Sequence, residues 1–322
     1  MYKVIIGGKI HNDGIKLLQS VENFDVTVLP DASTETLENN LSDADAILLR
    51  LQPFNSSMIE KSKNLKILSR NGVGYDAIDI DSLNKRKIPL TIVGDVNSSS
   101  VAEHTIMFML SLLKQMKFHD NIIRSNQWSK RDQLLSSDIE GKKIFIIGFG
   151  KIGQKVAKIL DAMAGKVIVY DPYVNKDQLV RTNYDLVDNI DNGIADADII
   201  TIHAPSSGSN YLIDKHQFSL MKKNVVLINT SRGSHINIDE LATALEKGII
   251  LGAGLDVFPT EPPAIEHRLF KLDNILFSPH IAGLTNECAS RMSLGSAQNI
   301  IDALNGKLNT NLLVNKDILE NY

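Results

Sequence analysis

The stretch from Lys142 to Asp171 restricts the fold of this chain more than any other part of the sequence. It begins with an apolar run rich in β-branched residues, Ile144–Ile147, which is typical of a strand buried on both faces of a parallel sheet. A GxGxxG pattern follows directly, formed by Gly148, Gly150 and Gly153. Apolar residues at helical spacing then occupy Gln154–Met163, and a second apolar run, Val167–Tyr170, leads to the aspartate. This order of strand, glycine turn, helix, strand and acid predicts a dinucleotide-binding βαβ unit.

Each residue type in this unit has a physical role in holding a dinucleotide. Gly148 permits the tight turn, Gly150 lets a pyrophosphate approach the backbone, and Gly153 allows helix and strand to pack closely. The N-terminus of the helix offers N–H groups and positive potential to the phosphates. Asp171 can accept hydrogen bonds from the adenosine ribose, and it would repel a 2′-phosphate. Because no arginine follows it directly to receive such a phosphate, the sequence favours NAD over NADP.

The composition is that of an ordinary globular protein and disfavours several other classes. The chain has 322 residues, enough for two domains that each bury a core, with 43% apolar and 22% charged residues. A formal net charge of −4 gives no reason to expect nucleic acid or an anionic membrane as a partner. The one cysteine, Cys288, allows no internal disulfide and fits a reducing, cytoplasmic location. The histidines show no metal-binding spacing, so no catalytic metal is expected.

Neither a signal peptide nor a membrane span is expected. The short apolar run that begins at Val4 is followed at once by charged and polar residues, which indicates a first strand. The longest apolar stretch, Ile106–Leu113, is too short to span a bilayer.

Strands and helices are expected to alternate along the rest of the chain, which indicates an α/β fold with two doubly wound parallel-sheet domains. Besides the unit above, the predicted strands are 3–7, 25–29, 46–49, 65–69, 88–93, 199–202, 225–229, 251–255 and 275–277. The predicted helices are 11–20, 33–41, 56–63, 79–86, 214–221, 237–247 and 285–305. Polar residues at 95–100 mark the crossing between the domains, and Ser98–Ser100 offer N-caps for one long apolar helix that starts near Val101.

Three polar residues follow three successive predicted strands of the dinucleotide-binding half: Arg232, Glu261 and His280. If those strands are parallel neighbours, the three side chains leave the sheet at the edge where ligands of such sheets bind. They suit hydride transfer at an alcohol carbon, with His280 as the general base that takes the hydroxyl proton. Glu261 would fix the imidazole tautomer and raise the pKa of the histidine, while Arg232 would hold a carboxylate and polarise the reacting oxygen. Taken singly, each residue also fits a structural role, as a surface histidine, a solvated turn acid or an ion-pair arginine.

The chain resembles the D-isomer-specific 2-hydroxyacid dehydrogenases over essentially its whole length. The matching pieces, in chain order, are RNGVGYD (70–76), SVAEHT (100–105), GKKIFIIGFGKIG (141–153), YDP (170–172), HAP (203–205), NTSRG (229–233), GLDVFPTEPP (254–263) and SPHIAG (278–283). The resemblance implies an NAD-binding Rossmann domain, 99–289, inserted into a flavodoxin-like substrate (lid) domain, 1–98 and 290–322. It also implies Arg232, Glu261 and His280 as the catalytic set, domains that close over the substrate, and a homodimer held by the helix region 101–118.

The resemblance assigns further residues to the cofactor and the substrate. For the cofactor it implies, besides the glycine loop and Asp171, the residues Val73, Lys151, Ile152, Ala204, Pro205, Thr230, Ser231, Asp256 and Gly283. For the substrate it implies Arg232, His280 and the turn of Asn71, Gly72, Val73 and Gly74. Backbone N–H groups of that turn would bind the substrate carboxylate.

The identity of the hydroxy acid stays open at this point. Arg50, at the end of the third strand, resembles the phosphate-binding arginine of 3-phosphoglycerate dehydrogenases, and a solvated strand-end arginine is the structural alternative. Leu51–Asn55 departs from the Ser-x-Thr pattern common in that branch, and Ser206 replaces the usual Leu after Pro205. We expect 3-phosphoglycerate/phosphohydroxypyruvate, at the entry to serine biosynthesis, ahead of hydroxypyruvate or glyoxylate. At 322 residues we expect no regulatory domain.

Two other functions compete with this one. An NAD-sensing, corepressor-like binding protein is a distant alternative, because the C-terminal-binding-protein corepressors share the fold and the Arg/Glu/His set. The sequence lacks an extended disordered tail beyond the enzyme core, which argues against that alternative. Formate dehydrogenase is disfavoured because it uses no Glu–His pair in this form.

Overall fold

The computed structural model describes residues 1–205 and 210–321 and divides into two compact units. One unit comprises 1–97 and 284–322, and the other comprises 98–283. No helix in the described ranges combines the length and the apolar character that a bilayer span needs.

The first unit is built on a five-stranded parallel sheet. Its elements up to residue 97 are β1 (Tyr2–Ile6), α1 (Asn12–Gln19), β2 (Phe24–Val28), α2 (Thr34–Glu38), β3 (Ala46–Leu49), α3 (Ser56–Lys61), β4 (Ile67–Arg70), α4 (Ile80–Lys85) and β5 (Leu90–Thr91). The strand order is β2-β1-β3-β4-β5, which is the flavodoxin-like order. The whole of β3 is buried, because its continuous apolar run faces helices on both sides of the sheet.

The second unit is built on a seven-stranded parallel sheet. Its helices and strands are α5 (Ser98–Leu113), α6 (Met116–Arg124), β6 (Lys143–Ile147), α7 (Lys151–Ala162), β7 (Lys166–Tyr170), α8 (Lys176–Leu179), β8 (Asp185–Leu186), α9 (Ile190–Asp196), β9 (Ile199–Ile202), α10 (Lys215–Leu220), β10 (Val226–Asn229), α11 (Ile238–Glu246), β11 (Gly252–Leu255) and β12 (Ile275–Phe277). Single 3₁₀ turns lie at Trp128–Lys130, Gly233–His235 and Arg268–Lys271. The order β12-β11-β10-β9-β6-β7-β8 extends the Rossmann order by one strand, so the predicted fold class is confirmed.

The prediction of one long helix from Val101 is wrong in two respects. Helix α5 already begins at Ser98, so Ser98–Ser100 form its first turn and do not stand before it as caps. The helical path then breaks at Gln115, whose φ of 51° is left-handed, and α6 starts afresh at Met116. The region 101–118 is therefore the end of one helix and the start of another.

The last helix, α12 (Asn286–Leu304), belongs to the first unit, as does the 3₁₀ segment Lys316–Asn321. The tail after α12 returns to β5, where Thr91 and Leu313 form an antiparallel bridge and the Ile92 N–H donates to Leu312 O. The domain boundary expected between 289 and 290 lies inside α12, whereas the structure divides after Gly283, because the helix is continuous through that point.

Candidate active site

The glycine turn lies at the point in the second sheet where the strand order reverses, between β6 and β9. Gly148 has a φ of 93°, and a Cβ placed on it would lie 2.6 Å from Ala204 N. Glycine is therefore required for the loop after β6 to approach the loop after β9. His203, just before Ala204, is buried, and its Nε2 lies 3.0 Å from Thr201 Oγ1. Burial lowers the pKa of His203 to about 3, so its ring is neutral near pH 7.

The other two glycines have opposite surroundings. A Cβ on Gly150 would meet nothing within 4 Å, while a Cβ on Gly153 would lie 2.2 Å from Gly148 O. Helix α7 begins at Lys151, directly after Gly150, and Lys151 is exposed while Ile152 is half-buried. The open side of the turn thus coincides with the helix N-terminus, where a pyrophosphate fits, and the packed side holds helix to strand.

Asp171 is held at the end of β7 by the same turn. Its Oδ2 accepts the Phe149 N–H at 2.7 Å, and its Oδ1 accepts the Tyr173 N–H at 2.8 Å. The carboxylate is only partly buried, and each oxygen has lone pairs to spare for a ribose hydroxyl. The residues at this sheet edge therefore fit an adenosine dinucleotide.

The structure brings His280 and Glu261 into contact. His280 Nδ1 lies 2.7 Å from Glu261 Oε2, and Glu261 Oε1 accepts the Phe258 N–H at 3.0 Å. Because a carboxylate only accepts, Nδ1 carries a proton in this pair and Nε2 is left to exchange one with a ligand. The His280 side chain is 48% exposed, so a ligand can reach it.

Arg232 leaves the same sheet edge, because β10, β11 and β12 are parallel neighbours. Its Nη1 donates to Ser231 O at 2.8 Å, and its own carbonyl accepts from Asn229 Nδ2 at 2.8 Å. The next residue, Gly233, lies so close to Phe258 that a Cβ would come within 1.9 Å of its carbonyl carbon. The loop that carries Arg232 therefore packs directly on the loop that leads to Glu261.

Asp256 lies beneath the His280 loop as a buried anchor, 1% exposed. One carboxylate oxygen accepts from Ser278 Oγ and, at 2.8 Å, from the Ile281 N–H, and the other accepts the Ala282 N–H at 2.9 Å. Its backbone carbonyl accepts the His280 N–H at 2.8 Å. These bonds fix the backbone on both sides of the histidine, a role that the sequence alone did not indicate.

Two partners from α5 complete this buried region. His104 Nε2 lies 2.8 Å from Ser278 Oγ, and burial lowers the pKa of His104 against the opposing charge of Asp256. Thr230, one of the residues predicted to bind the cofactor, is buried with its Oγ1 3.0 Å from Thr105 Oγ1. Gly283 follows the His280 loop and ends the second unit.

In the first unit, the turn predicted to bind a carboxylate is ordered by Arg70. Its Nη1 donates to Asn71 O at 2.8 Å and its Nε donates to Gly74 O at 3.0 Å. Val73 packs beside Val93 within the unit. Within 1–205 and 210–321, no protein atom accepts the N–H of Val73 or Gly74, which leaves both for an anion. Sequence reasoning missed Arg70; the available signal was a basic residue at a strand end before a glycine turn.

Arg50 follows β3, which with β1 forms the point of strand-order reversal in the first sheet. Its N–H donates to Gln52 Oε1 at 3.2 Å, and Gln52 Nε2 donates to Gly7 O at 2.6 Å. Within the described ranges, its guanidinium makes no hydrogen bond or ion pair. Ser206, whose identity differs from the family pattern, lies outside the described residues.

The described residues hold no group of three or more His, Cys, Asp or Glu side chains that could bind a metal ion. The arrangement instead offers a nucleotide turn, a histidine–carboxylate pair and an arginine on one edge of one sheet. Such a set can bind an anionic substrate, move one proton and stabilise charge on oxygen.

Comparisons with known proteins point to one family. The family model for the D-isomer specific 2-hydroxyacid dehydrogenase NAD binding domain matches residues 106–282. A glyoxylate reductase from Thermofilum pendens is 37% identical over 294 residues, which cover 89% of this chain and 86% of the relative. A D-3-phosphoglycerate dehydrogenase from Methanocaldococcus jannaschii is 33% identical over 315 residues, which cover 97% of this chain but only 59% of the relative. The chain thus spans about six tenths of the length of that relative.

Solved structures of related enzymes have the same fold as this chain. The D-lactate dehydrogenase of Aquifex aeolicus, determined with NAD and lactic acid, superposes with a TM-score of 0.88 at 25% identity. The superposition covers 97% of this chain and 99% of that chain.

Proposed function

The chain belongs to the D-isomer-specific 2-hydroxyacid dehydrogenase family, and we propose that it is an NAD-dependent oxidoreductase acting at C2 of a D-2-hydroxy acid or its 2-keto acid. The observation that carries this proposal is the 2.7 Å contact between His280 Nδ1 and Glu261 Oε2 at the sheet edge that also bears Arg232 and the glycine turn. NAD supplies the hydride acceptor or donor of such a reaction.

Each residue of the site has its own role in the proposed reaction. His280 Nε2 takes the hydroxyl proton during oxidation and returns it during reduction. Glu261 holds the ring through Nδ1 and stabilises the imidazolium that forms. Arg232 pairs with the substrate carboxylate and polarises the reacting oxygen. In the first unit, the unused N–H groups of Val73 and Gly74 provide further carboxylate donors.

The residues that we assign to the cofactor belong to the second unit, except Val73, which belongs to the first. The glycine turn and the N-terminus of α7 receive the pyrophosphate. The other residues that we assign to the cofactor are Val73, Lys151, Ile152, Asp171, Ala204, Pro205, Thr230, Ser231, Asp256 and Gly283. Asp171 supports a preference for NAD over NADP, which equal use of NADH and NADPH would contradict.

Among substrates, we favour 3-phosphoglycerate/phosphohydroxypyruvate. Arg50 supports this choice, because its guanidinium makes no hydrogen bond or ion pair in the described ranges and follows a strand at the ligand-binding edge of the first sheet. Hydroxypyruvate/glyoxylate reduction is the second candidate, favoured by the near full-length correspondence with glyoxylate reductases such as that of Thermofilum pendens. An NAD-sensing corepressor role is the distant alternative. It would be favoured only if the protein turned over no 2-keto acid.

The substrate assignment is tested by NADH oxidation with phosphohydroxypyruvate, hydroxypyruvate, glyoxylate and pyruvate, for wild type and Arg50→Ala. Losing a charge-assisted contact to the phosphate should raise KM for phosphohydroxypyruvate by about tenfold or more and leave the other acids unchanged. Lys63→Ala, which removes a charge from an exposed site of the same unit, is the matched control. An Arg50→Ala enzyme with an unaltered ratio of phosphorylated to unphosphorylated activity would point to a general 2-keto acid reductase.

We also propose a cytoplasmic homodimer, with the end of α5 and the start of α6 in the interface. Met107 in α5 and Met116 and Ile123 in α6 are 45%, 52% and 56% exposed, and a partner subunit would cover these apolar side chains. Sedimentation at the mass of one chain would contradict the dimer.

A further inference from the structure

His235 is a fully buried histidine whose two ring nitrogens contact two different loops. Its Nε2 lies 2.9 Å from Pro205 O, in the loop after β9. Its Nδ1 lies 3.1 Å from Ser231 Oγ, in the loop after β10. The first loop carries residues assigned to the cofactor. The second carries both Arg232 and His235 itself, so the His235 side chain joins its own loop to the cofactor loop.

The proton positions in this arrangement follow from its acceptors. A carbonyl oxygen only accepts, so Nε2 carries the proton and donates to Pro205. Burial lowers the pKa of His235, assisted by the charge of Arg232 and opposed by the Pro205 carbonyl, so the ring is neutral and Nδ1 is an acceptor. The Ser231 hydroxyl proton then lies between two acceptors, His235 Nδ1 at 3.1 Å and Asn229 Oδ1 at 2.8 Å. Asn229 Oδ1 also accepts the Ser231 N–H at 3.0 Å.

The backbone of His235 strengthens the link to the cofactor loop. Its carbonyl accepts the N–H groups of Leu212 and Ile213, each at 2.9 Å. The side chain therefore holds one end of the connection between β9 and α10, at Pro205, and the carbonyl holds the other end. A single residue fixes both described ends of that connection.

On the opposite side, the link continues to the catalytic arginine. Ser231, which contacts His235 Nδ1 through its hydroxyl, accepts from Arg232 Nη1 through its own carbonyl at 2.8 Å. Asn229 receives the Ser231 N–H through Oδ1 and donates to Arg232 O through Nδ2 at 2.8 Å. The backbone and the guanidinium of Arg232 are thus tied to the residue that His235 orients.

We propose that His235 is a positioning residue that couples the cofactor loop at Pro205 to the Arg232 loop, with Nε2 donating to Pro205 O and Nδ1 accepting from Ser231 Oγ. This rests on the roles proposed above for Pro205 and Arg232. His235 itself touches neither cofactor nor substrate. It acts by fixing the positions of Pro205 and Arg232.

The two bonds can be removed one at a time. In His235→Asn the side-chain amide occupies the place of Nδ1, so it keeps the contact with Ser231 and loses Pro205. In His235→Gln the amide nitrogen reaches the place of Nε2, so it keeps Pro205 and loses Ser231. His235→Leu removes both bonds at similar volume.

We expect the two variants to separate binding from turnover. His235→Asn should raise the NADH Kd by about three- to tenfold, with kcat at saturating NADH within about twofold of wild type. His235→Gln should keep the NADH Kd and lower kcat/KM for the keto acid by about three- to tenfold. The Kd is read from NADH fluorescence, and thermal unfolding reports stability for each variant. His216→Leu, an exposed histidine on α10, is the matched control for the substitution itself.

If His235 only stabilised the fold, the two variants would not separate cofactor binding from turnover. If the Asn and Gln variants change Kd and kcat/KM in the same way, or if both changes simply follow the loss in Tm, the coupling role is overturned. If wild type turns over no 2-keto acid, the proposed function fails. The NADH Kd of the Asn variant compared with the Gln variant still decides the cofactor half of the proposal.

Discussion

His280→Ala is expected to lower kcat by about 10²–10⁴-fold while NADH affinity stays nearly unchanged. The reason is local: Nε2 is the ring nitrogen not engaged by Glu261, so alanine removes the group that exchanges the substrate proton. The main-chain bond from residue 280 to Asp256 O survives the substitution, so the loop should keep its place. Steady-state NADH oxidation with the best keto acid measures kcat, and NADH fluorescence measures Kd.

The kcat of Glu261→Gln serves as a comparison for the kcat of His280→Ala. A glutamine oxygen can still accept the Nδ1–H, but it no longer stabilises a charged ring. We expect kcat to fall by less than in His280→Ala. Unchanged turnover in His280→Ala would remove His280 from the catalytic role.

The second large effect is expected at the glycine turn, where Gly150→Ala and Gly153→Ala should fail in opposite ways. A methyl on Gly150 meets no protein atom within 4 Å, so the variant should fold with its Tm nearly unchanged. That methyl would occupy the open side of the turn, where the pyrophosphate approaches, and should raise the NADH Kd by about tenfold or more.

Gly153→Ala should instead act on stability. Its Cβ would lie 2.2 Å from Gly148 O, which forces α7 away from the turn. Overpacking of this kind costs about 1–3 kcal/mol and should lower Tm by several degrees. Differential scanning fluorimetry with and without NADH measures both variants. If Gly150→Ala loses stability but binds NADH normally, the open side of the turn is not the pyrophosphate site.

The sequence predicted the sheet architecture well because parallel strands buried on both faces leave continuous apolar runs. The predicted spans of β9, Ile199–Ile202, and β12, Ile275–Phe277, match the structure residue for residue. The short elements α8, β8 and α9 were missed, because their polar, brief segments carry no clear period. The break at Gln115 was missed because neither glycine nor proline marks it.

The reactive side chains of the candidate site could be predicted from the sequence, but the residues that hold them in place could not. Arg232, Glu261 and His280 could be found because each follows a recognisable strand. The supporting residues depend on contacts between parts of the chain that are distant in sequence. His104, for example, contacts Ser278, which lies 174 residues later in the sequence. A buried histidine such as His235 looks the same in sequence whether its ring nitrogens join two loops or none.

The most direct test of the central claim is the configuration of the product. Wild type would reduce hydroxypyruvate and phosphohydroxypyruvate with NADH, the phosphorylated product would be treated with phosphatase, and the glycerate would be resolved by chiral chromatography. A D-2-hydroxyacid dehydrogenase should yield D-glycerate in step with NADH oxidation. L-Glycerate, or no oxidation of NADH with any 2-keto acid, would contradict it.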